Sequence, residues 1–146
     1  MSYPIWWDTT ITIYNKYEDK QTQLVRWYRH VIDKCFWKAS NNKVSINDTV
    51  IDSSNILCRI PKQGNYLEKF DWVALPNDTM EEYFTLGQGD IIIKGEVDFE
   101  IDEYVKGKRS TDLLEKYKYK GCMQIDQFSD NTGIGRNNEH YYVTGI

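Results

Sequence analysis

Along the chain, apolar residues recur mostly at every second position, in short runs broken by polar turns, which is the pattern of half-buried strands. Thr10-Ile11-Thr12-Ile13-Tyr14 alternates with Ile11 and Ile13 on one face. Leu24 to Ile32 follows, with Val25, Trp27 and Val31 on one side and Arg26, Tyr28 and His30 on the other. Tyr17-Glu18-Asp19-Lys20-Gln21 is the polar turn between them, so the two runs predict a hairpin. Further strands are expected at Lys34 to Lys38, Val44 to Ile46, Thr49 to Ile51 and Ile56 to Ile60. Pro61 ends the last of these because it has no N–H for a ladder. A short helix is expected between Tyr66 and Leu75, stopped by Pro76.

The clearest pattern comes next. Gly87-Gln88-Gly89-Asp90 leads into Ile91-Ile92-Ile93-Lys94, Gly95-Glu96 turns the chain, and Val97-Asp98-Phe99-Glu100-Ile101 returns. Val97, Phe99 and Ile101 fall on one face and Asp98, Glu100 and Asp102 on the other, so a structural hairpin built on Gly89, Asp90, Gly95 and Phe99 is predicted, with the apolar three in the core. Asp112-Leu113-Leu114-Glu115 has capping-box spacing and predicts a helical turn or two. Met123 to Phe128 and Tyr141 to Thr144 read as strands flanking a loop, Ser129 to Glu139, rich in Asn, Gly and Asp. Many short strands with close turns predict a mainly β fold: an antiparallel β-barrel or sandwich with one or two short helices. At 146 residues, one domain over 1–146 is expected.

Composition adds a bias towards assembly. Aromatic residues reach 14%, and large flat side chains are frequent in cores and permanent interfaces. Met1 to Asp8 lacks a secretory signal and no later run approaches a membrane span, so a soluble, intracellular chain is expected. On that reading the Asn-x-Thr matches at Asn47 and Asn77 carry no glycan. Cys35, Cys58 and Cys122 lie far apart in sequence and read as free thiols.

The net charge of −4 hides a sharp division. Between Asp78 and Glu103, nine acidic residues face the single Lys94; between Val105 and Lys120, six basic residues face Asp112 and Glu115. Two readings stand: a solvated surface, or opposite patches that set register between copies in a head-to-tail ring.

Candidate chemistry is sparse. Gly87 and Gly89 lack the third glycine of a dinucleotide loop at position 92, and a strand follows where a helix should begin. Asp98, Glu100 and Asp102 could hold a divalent cation, yet no further acid or histidine cluster closes that site. His30 and His140 have no accompanying nucleophile signature. The five tryptophans could form a sugar platform, but packing is the better reading, and no basic stripe suits nucleic acid. No catalytic residue, cofactor or metal is assigned.

The run from Tyr83 to Ile101 resembles a family of small proteins from prophages and tailed phages of Gram-positive bacteria, as do Ile13 to Tyr17, Val31 to Trp37, Ile60-Pro61 and His140-Tyr141-Tyr142-Val143. The Gly-Asp-x-Ile-x-x-Gly piece with its Phe-Glu-Ile also resembles the barrel hairpin of phage head-closure proteins, the stopper or head–tail joining proteins. That family closes on His-Trp where this chain has His140-Tyr141, and Glu103 to Lys120 is a lysine-rich insertion. The resemblance implies a virion structural protein made in the host cytoplasm and placed in the neck. It would form a homo-oligomeric ring, 12-fold or 6-fold, between a portal-side connector and a tail-terminator protein. DNA would pass through its lumen without specific binding. Glu96, Asp98, Glu100, Asp102 and Glu103 are then candidates for the channel lining, where carboxylates repel phosphate. Lys106, Lys108, Arg109, Lys116 and Lys118 are candidates for contact between subunits. The alternatives are a tail terminator or tail-completion protein, and, from another class, an acidic phage-encoded inhibitor of a host protein.

Overall fold

The computed structural model describes residues 4–46, 49–118, 120–132 and 139–146, and the side chains of all of these except 40–46 and 49–54. Asn47 and residues 133–138 of the predicted Asn/Gly-rich loop lie outside the described residues. Among the described residues there are six strands: β1 (Thr9–Glu18), β2 (Val25–Ile46), β3 (Thr49–Pro61), β4 (Ile91–Lys94), β5 (Cys122–Asn131) and β6 (His140–Gly145). They close an antiparallel barrel in the order β1-β2-β3-β6-β5-β4. Two short helices, α1 (Lys69–Val73) and α2 (Ser110–Tyr117), and a 3-10 turn at Met80–Glu82 sit in the connections.

Three of the strands expected separately, from Leu24 to Ile46, are one. β2 pairs with β1 from Val25 to Cys35 and with β3 from Phe36 onward. Where it changes partner, two residue steps of β1 (Thr9 to Ile11) oppose three of β2 (Ile32 to Cys35), a bulge that bends the strand. Lys34, at φ 59°, absorbs that bend in the left-handed region. β3 likewise joins two expected strands. Its pairing with β6 begins at Ile56, whereas its pairing with β2 continues to Ile46 opposite Thr49. The β2–β3 pair therefore runs out of the barrel as a two-stranded ribbon.

β1 is covered on both faces rather than one. Ile11 and Ile13 join Ile92, Ile60, Phe84, Met123 and Val143 inside the barrel. Tyr14 on the opposite face joins Ile91, Ile93, Val97 and Leu113 in an outer layer. Period-two alternation thus serves two cores, one inside the wall and one outside it. Closure also needs a small residue at the β5–β6 seam: a Cβ on Gly145 would come within 2.0 Å of the Gln124 carbonyl oxygen.

The predicted 91–101 hairpin does not form. β4 pairs with β1 and β5, and 97–101 is not a strand. Gly95, at φ 98°, turns the chain out of the wall. The returning segment then crosses the outer face of β1, held by side chains instead of a ladder. Thr12 Oγ1 donates to Gly95 O (2.8 Å) and accepts from Val97 N (2.9 Å). Tyr14 Oη donates to Phe99 O (2.6 Å), and Arg29 Nε donates to Val97 O. Val97 is buried as expected, whereas Phe99 and Ile101 are half-buried against the outer layer.

Candidate functional site

Asp90 and its neighbours form the most constrained polar group among the described residues. The Gly87–Asp90 turn closes with Asp90 N donating to Gly87 O (3.1 Å), and it buries the carboxylate beneath β1. Oδ1 accepts from Lys16 N (3.0 Å); Oδ2 accepts from Asn15 Nδ2 (3.0 Å) and Gly87 N (3.1 Å). Lys69 Nζ stands 3.6 Å from Oδ1. Asn15 also exchanges two hydrogen bonds with the Thr85 backbone, Nδ2 to O at 2.6 Å and N to Oδ1 at 3.1 Å. It does with its side chain what a neighbouring strand would do with its backbone. Burial pushes the Asp90 carboxyl up from 3.8, while Lys69 and the three N–H donors pull it down. Every oxygen is already satisfied, so this is a structural anchor and not a reactive centre. Gly89 and Asp90 accordingly keep the turn that the sequence predicts.

The expected channel-lining acids separate into two groups. Glu96, Asp98, Glu100 and Asp102 are exposed. Glu103 instead accepts from Ser110 N and Ser110 Oγ at the start of α2, neutralising free N–H groups of a helix end. Asp112 lies within the first turn of α2, not ahead of it, and its Oδ2 accepts from Arg109 N (3.1 Å). This is the N3 half of a capping box, three residues after the cap.

Lys106, Lys108, Arg109, Lys116 and Lys118 are all exposed. Two of them are engaged locally. Lys118 pairs with Glu115 at 2.6 Å, and Lys116 Nζ lies 5.8 Å from the Phe99 ring centre and 5.4 Å from that of Tyr117. Lys106, Lys108 and Arg109 sit on the loop that leads into α2, next to the acidic 96–102 segment in sequence. The Asp102 N to Lys108 O hydrogen bond (2.7 Å) closes that loop on itself.

The sequence reading missed an open cavity of about 560 Å³. It lies where β2 starts, between the β1–β2 hairpin, the residues before the 3-10 turn, and Ile101–Tyr104. Leu24, Trp27, Tyr28, Ile101 and Tyr104 give it an apolar wall, and Asp78, Glu81 and Asp102 an acidic rim. These residues come from the start of β2 and from two connections far from it in the chain, so no sequence spacing joins them. Beside it Trp72 is fully buried, edge-on to Tyr17 and Tyr28, with Nε1 donating to Tyr83 O (3.1 Å). Among the described residues no cluster of His, Cys, Asp and Glu could hold a metal ion, and no helix is long and apolar enough to cross a membrane.

A family model described as "Family of unknown function (DUF6751)" matches residues 6–146. Searches of curated proteins and of solved structures found no match.

Proposed function

The chain belongs to DUF6751, and because the description of that family names no function, we propose from the residues themselves that it is a non-enzymatic ring subunit of a tailed-phage neck. In this reading it sits between a portal-side connector and the tail, and the genome passes through its lumen. The observation that carries the reading is the β2–β3 ribbon leaving a closed barrel. Closure removes free edges from the wall, whereas an isolated two-stranded ribbon is marginal in water and gains stability when a neighbour covers it. Glu96, Asp98, Glu100 and Asp102, exposed together, supply carboxylates that would keep DNA from adhering to a lumen wall.

Native mass spectrometry and electron microscopy of the purified chain test the proposal. Closed rings of one copy number, 12-fold or 6-fold, are expected, and comparing that number with the symmetry of the neck and of the tail end in purified particles separates a neck ring from a tail-end ring. A chain that stays monomeric or dimeric at all concentrations, and is missing from purified particles, would overturn the neck reading in favour of a free inhibitor.

A further inference from the structure

We propose that successive copies join by strand addition: the 38–46 stretch of β2 in one copy pairs, backbone to backbone, with the free 25–33 edge of β2 in the next. The inference rests on the ring reading and names the contact that would build the ring. Closure of the barrel spares this edge. β3 meets β2 only from Phe36 onward, so ahead of the bulge β2 has β1 on one side and no described strand on the other. Leu24 O accepts from Asp19 N (2.9 Å) on the β1 side, whereas Val25 N donates to Tyr104 Oη (2.9 Å) on the open side. Backbone groups alternate in direction along a strand, so Trp27, Arg29 and Val31 also turn their N–H and C=O to the open side. None of these groups is hydrogen-bonded to a described residue. The row is also reachable. The open cavity of about 560 Å³ lies against it at Val25, Trp27 and Tyr28, and farther along Arg29 and Val31 are exposed. Alternating N–H and C=O groups in a row are satisfied as a set by another extended backbone.

The occupant is offered by the same strand of a second copy. Beyond Cys35 the free and paired sides of β2 exchange: β3 takes the side that was open, and no described strand continues β1 on the other. The ribbon therefore carries an unpaired edge of its own over 38–46, nine residues long against nine in 25–33. The far side of the ribbon, 49–55, is also unpaired, since β6 joins β3 only at Ile56. Charge decides between the two sides. The 38–46 stretch contains Lys38 and Lys43 and no acid, the 49–55 stretch contains Asp52 and no base, and the receiving edge is rimmed by Asp78, Glu81 and Asp102 against Arg26.

A copy cannot pair these two rows with each other. They belong to one strand, and Asn42 lies thirteen residues beyond Arg29, about 40 Å along it at about 3.3 Å per residue. They also lie on opposite sides of that strand. Joining them takes a different surface from each copy, which is the heterologous contact that generates rings when the rotation closes.

Hydrogen exchange with single-residue readout tests the contact on the parent chain. In the dissociated chain the amides of Trp27, Arg29 and Val31 should exchange rapidly, while those of Arg26, Tyr28 and His30, paired to β1, are protected. In the oligomer the first three should slow by at least about tenfold. Two variants then identify the occupant. Val31→Pro deletes an N–H from the open edge and none from the β1 ladder, a position where a strand tolerates proline. Replacing 41–54 by Asn-Gly joins Ser40 to Asn55, which already face each other, and removes the ribbon. Sedimentation velocity and native mass spectrometry report assembly, and circular dichroism reports the fold. Each variant alone should lose the oligomers of the parent. Their equimolar mixture should form a heterodimer and nothing larger, since one keeps the ribbon and the other keeps the edge. Oligomers whose edge amides still exchange rapidly would overturn the contact and leave the ring reading standing, and so would a folded variant that assembles like the parent. Folded variants that stay monomeric when mixed would also overturn it. Should Val31→Pro fail to fold, exchange in the parent and assembly of the ribbonless variant decide. A parent chain that never associates would overturn both readings.

Discussion

Asp90 shows how one residue can hold a connection in place. Its two oxygens gather the β1 backbone, the Asn15 side chain and the start of its own turn, so the long excursion from Lys62 to Asp90 is tied to the wall where it re-enters it. Asp90→Asn puts an amide donor opposite N–H groups, and unfolding in urea at neutral pH should show a loss of about 1–3 kcal/mol. The pH dependence has a definite sign. Because burial raises the folded-state value above 3.8, the proton binds the folded chain more tightly than the unfolded one. The associated stability is complete below 3.8 and is lost as pH rises through the raised value. The stability of the parent relative to Asp90→Asn should therefore shrink across that window as pH increases, and a difference that grows instead would contradict it. Little of this anchor was legible beforehand. Gly89-Asp90 announced a turn, but the partners Asn15 and Lys69 lie far away in the chain, and local patterning carries no information about such pairs.

At the scale of elements, the segment 95–101 is the instructive case. Its alternation is genuine, and it reads as a strand, yet it packs as an outer strap tied down by Thr12, Tyr14 and Arg29. Tyr14 is committed to that job: burial raises its phenol to about 12, so it remains a hydrogen-bond donor at neutral pH. Alternation reports that one face of a segment is buried, and it is silent about whether backbone partners exist. Phe99→Ala should accordingly cost about 1–3 kcal/mol, less than the 3–5 kcal/mol typical of a fully buried aromatic. Ile92→Ala, inside the barrel, should cost about 2–5 kcal/mol. Denaturant titrations of the two variants compare them directly, and a larger loss at Phe99 would place the main core on the wrong side of the wall. β1, β5, β6 and α1 were visible as elements, since each has local punctuation. The continuity of β2 was not, because a bulge at Lys34 interrupts the very period that identifies a strand.

For the whole molecule, closure and charge set the terms of assembly. Mainly β architecture was legible in the sequence; the choice of a barrel over a sandwich was not, because it depends on β6 meeting β3 and β4 meeting β1 across long separations. The charge division survives folding only in part: Asp90 and Glu103 are consumed internally, while Glu96 to Asp102 and Lys106 to Arg109 remain outward. Exposed pairs contribute about 0–1 kcal/mol each, so only a contact repeated around a ring would register. Reversing Lys106, Lys108 and Arg109 to Glu should weaken assembly at low salt and leave the monomer fold unchanged by circular dichroism. Raising the ionic strength should weaken the parent in the same direction. Unaltered assembly of the triple variant at low and high salt would assign this loop to solvent.

The seam made by β6 also bears on how the chain is made. His140–Gly145 pairs with β3 on one side and β5 on the other, so the wall stays open until those six residues have left the ribosome. Until then the β6-facing edge of β3, and of β5 once it is made, presents an unpaired row of N–H and C=O groups, and the apolar interior is accessible beside it. Closure is then a single late event that buries both edges at once. The nascent chain has the same reason to meet a chaperone at that stage that the finished barrel has to dispense with one.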